Sequence, residues 1–365
     1  MNSNRPSAAA ILHREPTGQV KLLEYERRYF DVMTAHFGDR FLRYRRDWSE
    51  SSNFSLKPDF PLSLDLEVNA SCNLRCVMCV LGGTERRRAA AGPPLMDLGL
   101  YRDLMDQARA AGLPAMTFGF LSEPLLSPDL AEMIRLAREA GVMDIRLGTN
   151  GLLLTRDASQ RLGDAGLTRL EVSLDALKPE TYARIRRGGR FEQVVRNIDD
   201  FLDAREKNTS GLPLLRLSFL RLPHNRGELD GFLAFWKDRA DLFSVQEPIY
   251  FEDAPLCREL TLVETAPSPD FRCAQPWQRL IVRTSGDVFP CCSIYGLEMN
   301  AGSAGDQPLV GIWNSPLMED LRRLHRLGLY SENKTCFHCA ARSSIRAAFP
   351  EQSPKQEENI CPRIG

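Results

Sequence analysis

The sequence has no apolar run that approaches the ~20 residues of a membrane-spanning helix. The segment from Met1 to Pro16 also lacks the apolar core of a signal peptide. Neither sign of charge is in excess, since 47 basic and 48 acidic residues give a formal net charge of −1. This balance gives no electrostatic reason to expect nucleic acid or an anionic membrane as a partner. We therefore expect a cytoplasmic protein.

Cysteine is absent between residues 80 and 256, and this gap divides the ten cysteines of the chain into two groups. Disulfides are rare in cytosolic proteins, so the clustering indicates two separate metal centres, each built by its own part of the chain. The first group is Cys72, Cys76 and Cys79. The second group comprises Cys257, Cys273, Cys291, Cys292, Cys336, Cys339 and Cys361.

The first group has C-x3-C-x2-C spacing, in the run Asn-Ala-Ser-Cys-Asn-Leu-Arg-Cys-Val-Met-Cys that follows an apolar strand. Three thiolates this close together can hold three irons of a 4Fe–4S cluster. A structural zinc site would want a fourth local ligand, and the nearest histidines, His36 and His224, are far away in the sequence. One iron would then lack a protein ligand and could bind a substrate or cofactor.

Strand and helix patterns alternate from Leu62 to Tyr250. Six successive strand–helix units predict a parallel sheet with helices outside it, and ligands bind at the carboxyl ends of such strands. Residues 17–47 are predicted to form one helix, followed by a polar connector. The predicted strands are 62–68, 115–120, 145–148, 170–174, 214–220 and 243–250, and the predicted helices are 97–111, 130–137, 156–165, 179–206 and 227–239.

The cysteine triplet resembles the motif of the radical S-adenosylmethionine (SAM) enzymes. In that family the open iron chelates the amino and carboxylate groups of SAM. Reductive cleavage then releases a 5′-deoxyadenosyl radical, which takes a hydrogen atom from the substrate. The resemblance implies an α/β fold, with a partial (β/α)6 TIM-like barrel over residues 62–250. It also implies a reducing electron donor such as flavodoxin or ferredoxin.

Two motifs after the second and third strands are similar to SAM-binding elements of this family. Gly119-Phe120-Leu121-Ser122-Glu123 resembles the Gly-Gly-Glu motif, with Ser122 in place of the second glycine. The resemblance implies that Glu123 holds the SAM amino group, whereas a surface glutamate before a proline turn is the alternative. Asn150 lies in a Thr-Asn-Gly turn whose asparagine is near the cofactor in the family.

Three further positions follow from the same resemblance. Ser173 and Asp175 would serve the ribose or methionine part of SAM, and Arg186 could pair with the SAM carboxylate. An N-cap role for Asp175 and a surface ion pair for Arg186 are the alternatives. Met78 precedes the third cysteine, where many relatives place an aromatic residue against the adenine, and methionine can also pack on a ring.

Within the second cysteine group, twelve residues separate Cys273 from Gly286, and four residues separate Gly286 from Cys291. Apolar strands on both sides of Gly286 predict a hairpin that brings these two cysteines together. A Cys-x2-Cys pair follows later. This layout resembles the twitch or SPASM auxiliary domain, here residues 251–365, without the later cysteines of the full SPASM pattern.

The resemblance implies one auxiliary 4Fe–4S cluster with four thiolate ligands. A structural zinc site with four cysteines is the alternative. Cys292 could replace Cys291, although the spacing from Gly286 selects Cys291. The implied ligands are Cys273, Cys291, Cys336 and Cys339.

Two reactions fit a radical site beside an auxiliary cluster. In a dehydrogenation, the substrate radical loses a proton to a base and an electron to the cluster. In an epimerisation, a thiol that is not a ligand returns a hydrogen atom, and Cys257 is the main candidate, ahead of Cys292 and Cys361. A buried packing thiol is the alternative for Cys257. The candidate bases are Glu247, Glu252 and Asp253.

The substrate class follows only from the resemblance. Relatives with a single auxiliary cluster act on sugars and aminocyclitols, which favours a small hydroxylated metabolite. A maturase of a ribosomal peptide and a non-catalytic metal-binding protein are the alternatives. Residues 1–61, predicted as a helix and a linker, are short for a peptide-recognition domain.

Overall fold

A sheet with six parallel strands forms the centre of this computed structural model, which describes residues 12–14, 19–82, 94–207, 210–252, 254–263 and 266–347. Among these residues no helix is both long and apolar enough to cross a membrane. The strands are β1 (Leu12–Arg14), β2 (Gln19–Leu22), β3 (Ser63–Leu66), β4 (Ala115–Phe118), β5 (Asp144–Thr149), β6 (Arg169–Ser173), β7 (Leu214–Leu220), β8 (Leu242–Gln246), β9 (Leu262–Val263), β10 (Arg279–Val282), β11 (Asp287–Phe289), β12 (Gly302–Ser303) and β13 (Arg346–Ala347). The helices are α1 (Leu23–Phe37), α2 (Asp39–Ser52), α3 (Leu98–Ala111), α4 (Leu130–Glu139), α5 (Arg156–Asp164), α6 (Pro179–Ile185), α7 (Phe191–Glu206), α8 (Leu229–Trp236), α9 (Gln275–Gln278), α10 (Leu309–Trp313), α11 (Pro316–Leu327) and α12 (Lys334–Ser344).

Strands β3 to β8 are neighbours in chain order, and each pair is parallel. At one edge β2 pairs antiparallel with β8, and at the other β10 pairs parallel with β3. The described strands leave the sheet open between these edges. The predicted α/β fold with a partial barrel is therefore confirmed. The carboxyl-terminal segment contributes β10 to the same sheet as the core.

Three predicted boundaries are wrong. The helix predicted over 179–206 is two helices, α6 and α7, because the chain turns through Gly188 at a positive φ of 91°. The helix predicted over 17–47 is a strand and two helices, with Gly38 at φ 54° between α1 and α2. The sixth strand ends at Gln246 rather than at 250, two residues before Pro248, which cannot donate to a strand ladder.

Alternate residues of each parallel strand face opposite sides of the sheet. Leu64 and Leu66 of β3 belong to the main apolar core, together with residues of α3, α4 and α7. Asp65 therefore faces the concave side, in register with Thr117 of β4. We call this concave side the lumen of the barrel.

The lumen is lined by charged side chains that pair across strands. Arg279 Nη1 donates to Asp65 Oδ2 at 2.7 Å, and Arg146 Nη1 donates to Glu171 Oε2 at 3.0 Å. At the carboxyl end of β3, Arg283 Nε donates to Glu67 Oε2. Burial alone would raise the pKa of Glu171, but nearby arginines hold it below its ordinary value. Burial raises the pKa of Glu67, and Arg283 opposes this rise.

The amino-terminal helices close the amino end of the barrel. Tyr29 and Met33 of α1 pack with Phe41 of α2 and with residues at the strand starts. Tyr29 Oη donates to Asp144 Oδ2 at 2.7 Å, and Arg169 Nε donates to Asp144 Oδ1 at 2.7 Å. Burial alone would raise the pKa of Asp144, but Arg169 and Tyr29 hold it below its ordinary value.

Replacing Asp144 by alanine should lower the free energy of unfolding by about 3–5 kcal/mol, because it leaves the buried Arg169 guanidinium without a counter-charge. The control is Arg161→Ala, which removes an exposed pair with Asp157 and should change little. The measurement is the urea midpoint of both anaerobic variants. Equal midpoints for the two variants would contradict this role of Asp144.

Candidate iron–sulfur and SAM site

The first three cysteines lie in a turn that follows β3 at the carboxyl end of the sheet. Leu74 N donates to Cys72 Sγ, and Leu81 N donates to Cys79 Sγ, each at 3.4 Å. A Cβ on Gly82 would lie 2.3 Å from the carbonyl oxygen of Cys76, so the turn requires glycine there. The backbone thus directs donors at cysteine sulfurs, an arrangement that stabilises thiolates and suits cluster ligands.

The connection between α6 and α7 holds this turn in place. Val77 N donates to Ile185 O, and Arg75 N donates to Arg187 O, both at 2.9 Å. On the other side, Leu256 N donates to Val77 O at 2.8 Å. The cysteine turn is therefore bound through its backbone to two segments far away in the sequence.

Asp175 and Arg186 form a buried ion pair beside Cys76. Arg186 Nε donates to Asp175 Oδ2 at 2.8 Å, and Arg186 Nη1 lies 3.7 Å from Cys76 Sγ. Burial raises the pKa of the Cys76 thiol to about 11, and the Arg186 charge opposes this rise. The N-cap alternative for Asp175 is wrong, since Lys178 occupies that position of α6. The surface-pair alternative for Arg186 is also wrong, because both side chains are largely buried.

Glu123 is buried and joins three loops. Its carboxylate accepts from Thr149 Oγ1 at 2.6 Å and from Asn150 N at 2.7 Å, and its backbone N donates to Ser71 O at 2.9 Å. Burial raises the pKa of Glu123, and these donors oppose the rise. The surface alternative is wrong, because Glu123 is 1% exposed. The neighbouring Ser122 Oγ is buried without a hydrogen-bond partner among the described residues.

The other predicted SAM-binding positions lie around the same turn. Asn150 Nδ2 donates to Asn73 Oδ1 at 2.7 Å and lies 4.0 Å from Cys72 Sγ. Ser173 ends β6 and accepts from Ser218 Oγ at 3.4 Å. Met78 is partly buried between two apolar clusters. Our sequence reasoning missed Asn73, whose only signal was its place inside the cysteine run.

Five cysteines of the second group line one cavity of about 560 Å³. Strands β10 and β11 form the predicted hairpin, with Ile281 opposite Phe289. Asn333 caps α12 by accepting from Cys336 N at 2.9 Å, which fixes the start of the Cys-x2-Cys helix. Sequence reasoning also missed His325, whose Nδ1 accepts from Cys273 N at 3.3 Å. The cysteines on the cavity wall are Cys273, Cys291, Cys292, Cys336 and Cys339.

The surroundings of Cys291 and Cys292 differ. Burial raises the pKa of Cys291, and the N–H of Ser293 opposes this by donating to its sulfur. This repeats the pattern at Cys72 and Cys79, where the amide two residues later donates to the sulfur. Cys292 has accessible surface on the cavity wall; burial of its sulfur raises its pKa, and the Arg279 charge opposes this rise. The ligand pattern thus fits Cys291, while Cys292 lies towards the lumen charges.

Cys257 lies in the single helical turn that follows the sixth strand and its loop. The preceding residue, Leu256, donates to the cysteine turn at Val77. Burial raises the pKa of the Cys257 thiol, and Arg342 opposes this rise. Of the candidate bases, Glu247 forms an ion pair with Arg221. Glu252 Oε1 lies 3.5 Å from Arg342 Nη1. Asp253 and Cys361 lie outside the described residues.

Two family models match the chain over the parts that carry these sites. The model of the radical SAM superfamily matches residues 66–217, and the SPASM iron–sulfur cluster-binding domain matches residues 273–340. A probable GTP 3′,8-cyclase of Methanococcus maripaludis is 31% identical over 191 residues, which cover 52% of this chain and 60% of the relative. The chain thus spans about three fifths of the length of such curated relatives.

Solved structures share the fold. SuiB of Streptococcus suis bound to precursor peptide SuiA has a TM-score of 0.58 at 15% identity, covering 76% of this chain and 70% of that one. BtrN in complex with AdoMet and 2-DOIA has a TM-score of 0.50 at 18% identity, covering 76% and 92%. The matched domains imply two 4Fe–4S clusters and SAM. The cysteine sulfurs with directed amide donors and the cysteine-lined cavity fit these groups.

Iron content tests the choice between the adjacent cysteines. Wild-type protein reconstituted without oxygen should bind about eight irons, four in each cluster. Cys291→Ala should approach about four, whereas Cys292→Ala should keep about eight and an unchanged visible spectrum. The reverse result would show that Cys292 is the ligand. Chemical iron and sulfide determination measures this.

Proposed function

Because the chain belongs to the radical SAM superfamily and carries a SPASM domain, we propose that it oxidises or epimerises a small hydroxylated metabolite, such as a sugar or an aminocyclitol. Cys72, Cys76 and Cys79 would hold the first cluster. The bound cluster and SAM would supply a 5′-deoxyadenosyl radical that abstracts a hydrogen atom from the substrate. The proposed auxiliary ligands are Cys273, Cys291, Cys336 and Cys339.

The protein side chains would bind SAM from several sides. The Glu123 carboxylate accepts a hydrogen bond from the backbone N of Asn150 and so orients that residue. The same carboxylate would face the SAM amino group. Arg186, whose charge Asp175 fixes in place, would pair with the SAM carboxylate. Ser173 and Met78 would lie along the ribose and the adenine, respectively.

The ion pairs of the lumen are the observation that supports a hydroxylated substrate. Asp65, Glu67 and Glu171 each pair with an arginine. Such pairs still offer charge-assisted hydrogen bonds to hydroxyl groups. Their charges already cancel, however, so a bound ion would have to break a buried pair, which is costly.

The curated relatives named GTP 3′,8-cyclase make that reaction the nearest competitor. A nucleoside triphosphate carries several negative charges and is commonly bound by arginines free to form forked contacts. Three of the lumen arginines, Arg146, Arg279 and Arg283, already bind carboxylates, and a fourth, Arg216, lies opposite Glu171 on the neighbouring strand. This electrostatic difference favours the hydroxylated metabolite over GTP.

An isotope experiment in heavy water tests the proposal. Reconstituted protein, SAM and a strong reductant are incubated with candidate aminocyclitols and sugars, or with GTP. We expect 5′-deoxyadenosine together with an altered hydroxylated compound. Deuterium at carbon indicates epimerisation, and a two-electron oxidised product without deuterium indicates dehydrogenation. Consumption of GTP with no change in any hydroxylated compound would contradict the proposal.

For the epimerisation branch we propose Cys257 as the hydrogen donor. Its raised thiol pKa keeps the S–H hydrogen present at neutral pH, and its turn is bonded to the cysteine turn. Cys257→Ala should abolish the deuterated product while SAM cleavage continues. Cys292→Ala is the matched competitor, because this thiol lies on the cavity wall. Loss of the deuterated product only in Cys292→Ala would show that the assignment to Cys257 is wrong.

A further inference from the structure

Tyr182 carries an unexplained hydroxyl in the middle of the first site. The residue is 0% exposed, and its Oη has no hydrogen-bond partner within the described part of the chain. A buried hydroxyl without a partner costs about 1–3 kcal/mol, and such groups in native proteins call for an explanation. A ligand that binds beside the hydroxyl would supply the missing acceptor.

The surroundings of this hydroxyl are those of the first cluster. Tyr182 lies in the last turn of α6, and Arg186, which follows the helix, donates its backbone N–H to Tyr182 O at 2.7 Å. Arg186 Nη1 lies 3.7 Å from Cys76 Sγ. Burial raises the pKa of Tyr182, and the charges of Arg186 and Cys76 act on it as well. A Cβ on Gly188 would lie 3.6 Å from Asn73 O, and Ile185 O accepts from Val77 N at 2.9 Å, so the end of α6 that follows Tyr182 lies against the cysteine turn.

The backbone leaves room for the ring at this place. A Cβ on Gly189 would lie 2.6 Å from Tyr182 Cε1 and 3.0 Å from its Oη. A larger residue at 189 would displace the ring. On the opposite side, Phe191 packs against Tyr182 with ring centroids 5.7 Å apart. The hydroxyl is thus fixed in position although no protein group bonds to it.

We propose that Tyr182 Oη donates a hydrogen bond to a sulfur of the first cluster near Cys76, and that it acts there together with Arg186. Hydrogen bonds to cluster sulfurs stabilise the more negative, reduced state and raise the reduction potential. Tyr182 would then act through the first cluster, by setting the reduction potential of the cluster whose electron cleaves SAM. This inference rests on the proposed cluster ligands.

The test is Tyr182→Phe in the reconstituted enzyme, titrated electrochemically under EPR without SAM. The first cluster is recognised because its signal changes when SAM is then added. We expect its midpoint potential to become more negative, with the auxiliary cluster unchanged as an internal reference. An unchanged potential of the SAM-responsive cluster would overturn the inference. So would a difference seen only with SAM present, since the hydroxyl would then contact SAM.

Two further measurements separate this result from a structural effect. Iron content near eight per chain shows that both clusters are present, so a failure of the proposed ligands is recognised independently. Tyr101→Phe is the matched control, since Tyr101 is equally buried but donates to Met133 O at 2.6 Å. This control should lower the apoprotein's denaturation midpoint without moving either potential. Tyr182→Phe removes no protein hydrogen bond and relieves a buried hydroxyl that has no partner in the apoprotein, so that midpoint should rise; a lowered midpoint with unchanged potentials would reveal a structural role.

Discussion

The buried carboxylate of Glu123 is the interaction on which the first site depends. It accepts from Thr149 and Asn150 after β5, while its own backbone is bonded to Ser71 at the start of the cysteine turn. Three strand ends of a parallel sheet are thereby held at fixed separations. A carboxylate enclosed in this way has little freedom, so Asn150 can meet both Asn73 and the sulfur of the first cysteine. The turn is therefore held by hydrogen bonds within the protein.

The parallel strands could be predicted from the sequence because burial on the helix side imposes a strict alternation. The fifth strand, 214–220, was predicted with its correct ends. The two helix failures occurred where a glycine changes the backbone direction inside a continuous amphipathic pattern, at Gly38 and Gly188. Apolar spacing continues through such breaks, since both helices still bury one face, and periodicity alone does not detect them.

The cysteines of both sites could be proposed from spacing, because a cluster requires several thiolates near one point and short loops satisfy this locally. The ion pairs of the lumen could not be proposed from spacing. Arg146 meets Glu171, and Asp65 meets Arg279, through strand neighbours that are far apart along the chain. No local pattern records such a partner. The unpartnered hydroxyl of Tyr182 could not be predicted either, because it is recognised only by the lack of a hydrogen-bond partner among the described residues.

Segments outside the six strand–helix units cover the amino end of the lumen and extend one edge of its sheet. Helices α1 and α2 pack against the strand starts around Asp144, while β10 extends the open edge beside β3. Cys292 follows the β10–β11 hairpin, and the charges of Arg279 and Asp65 act on the pKa of its thiol. The wall of the auxiliary cavity is thus electrostatically continuous with the lumen.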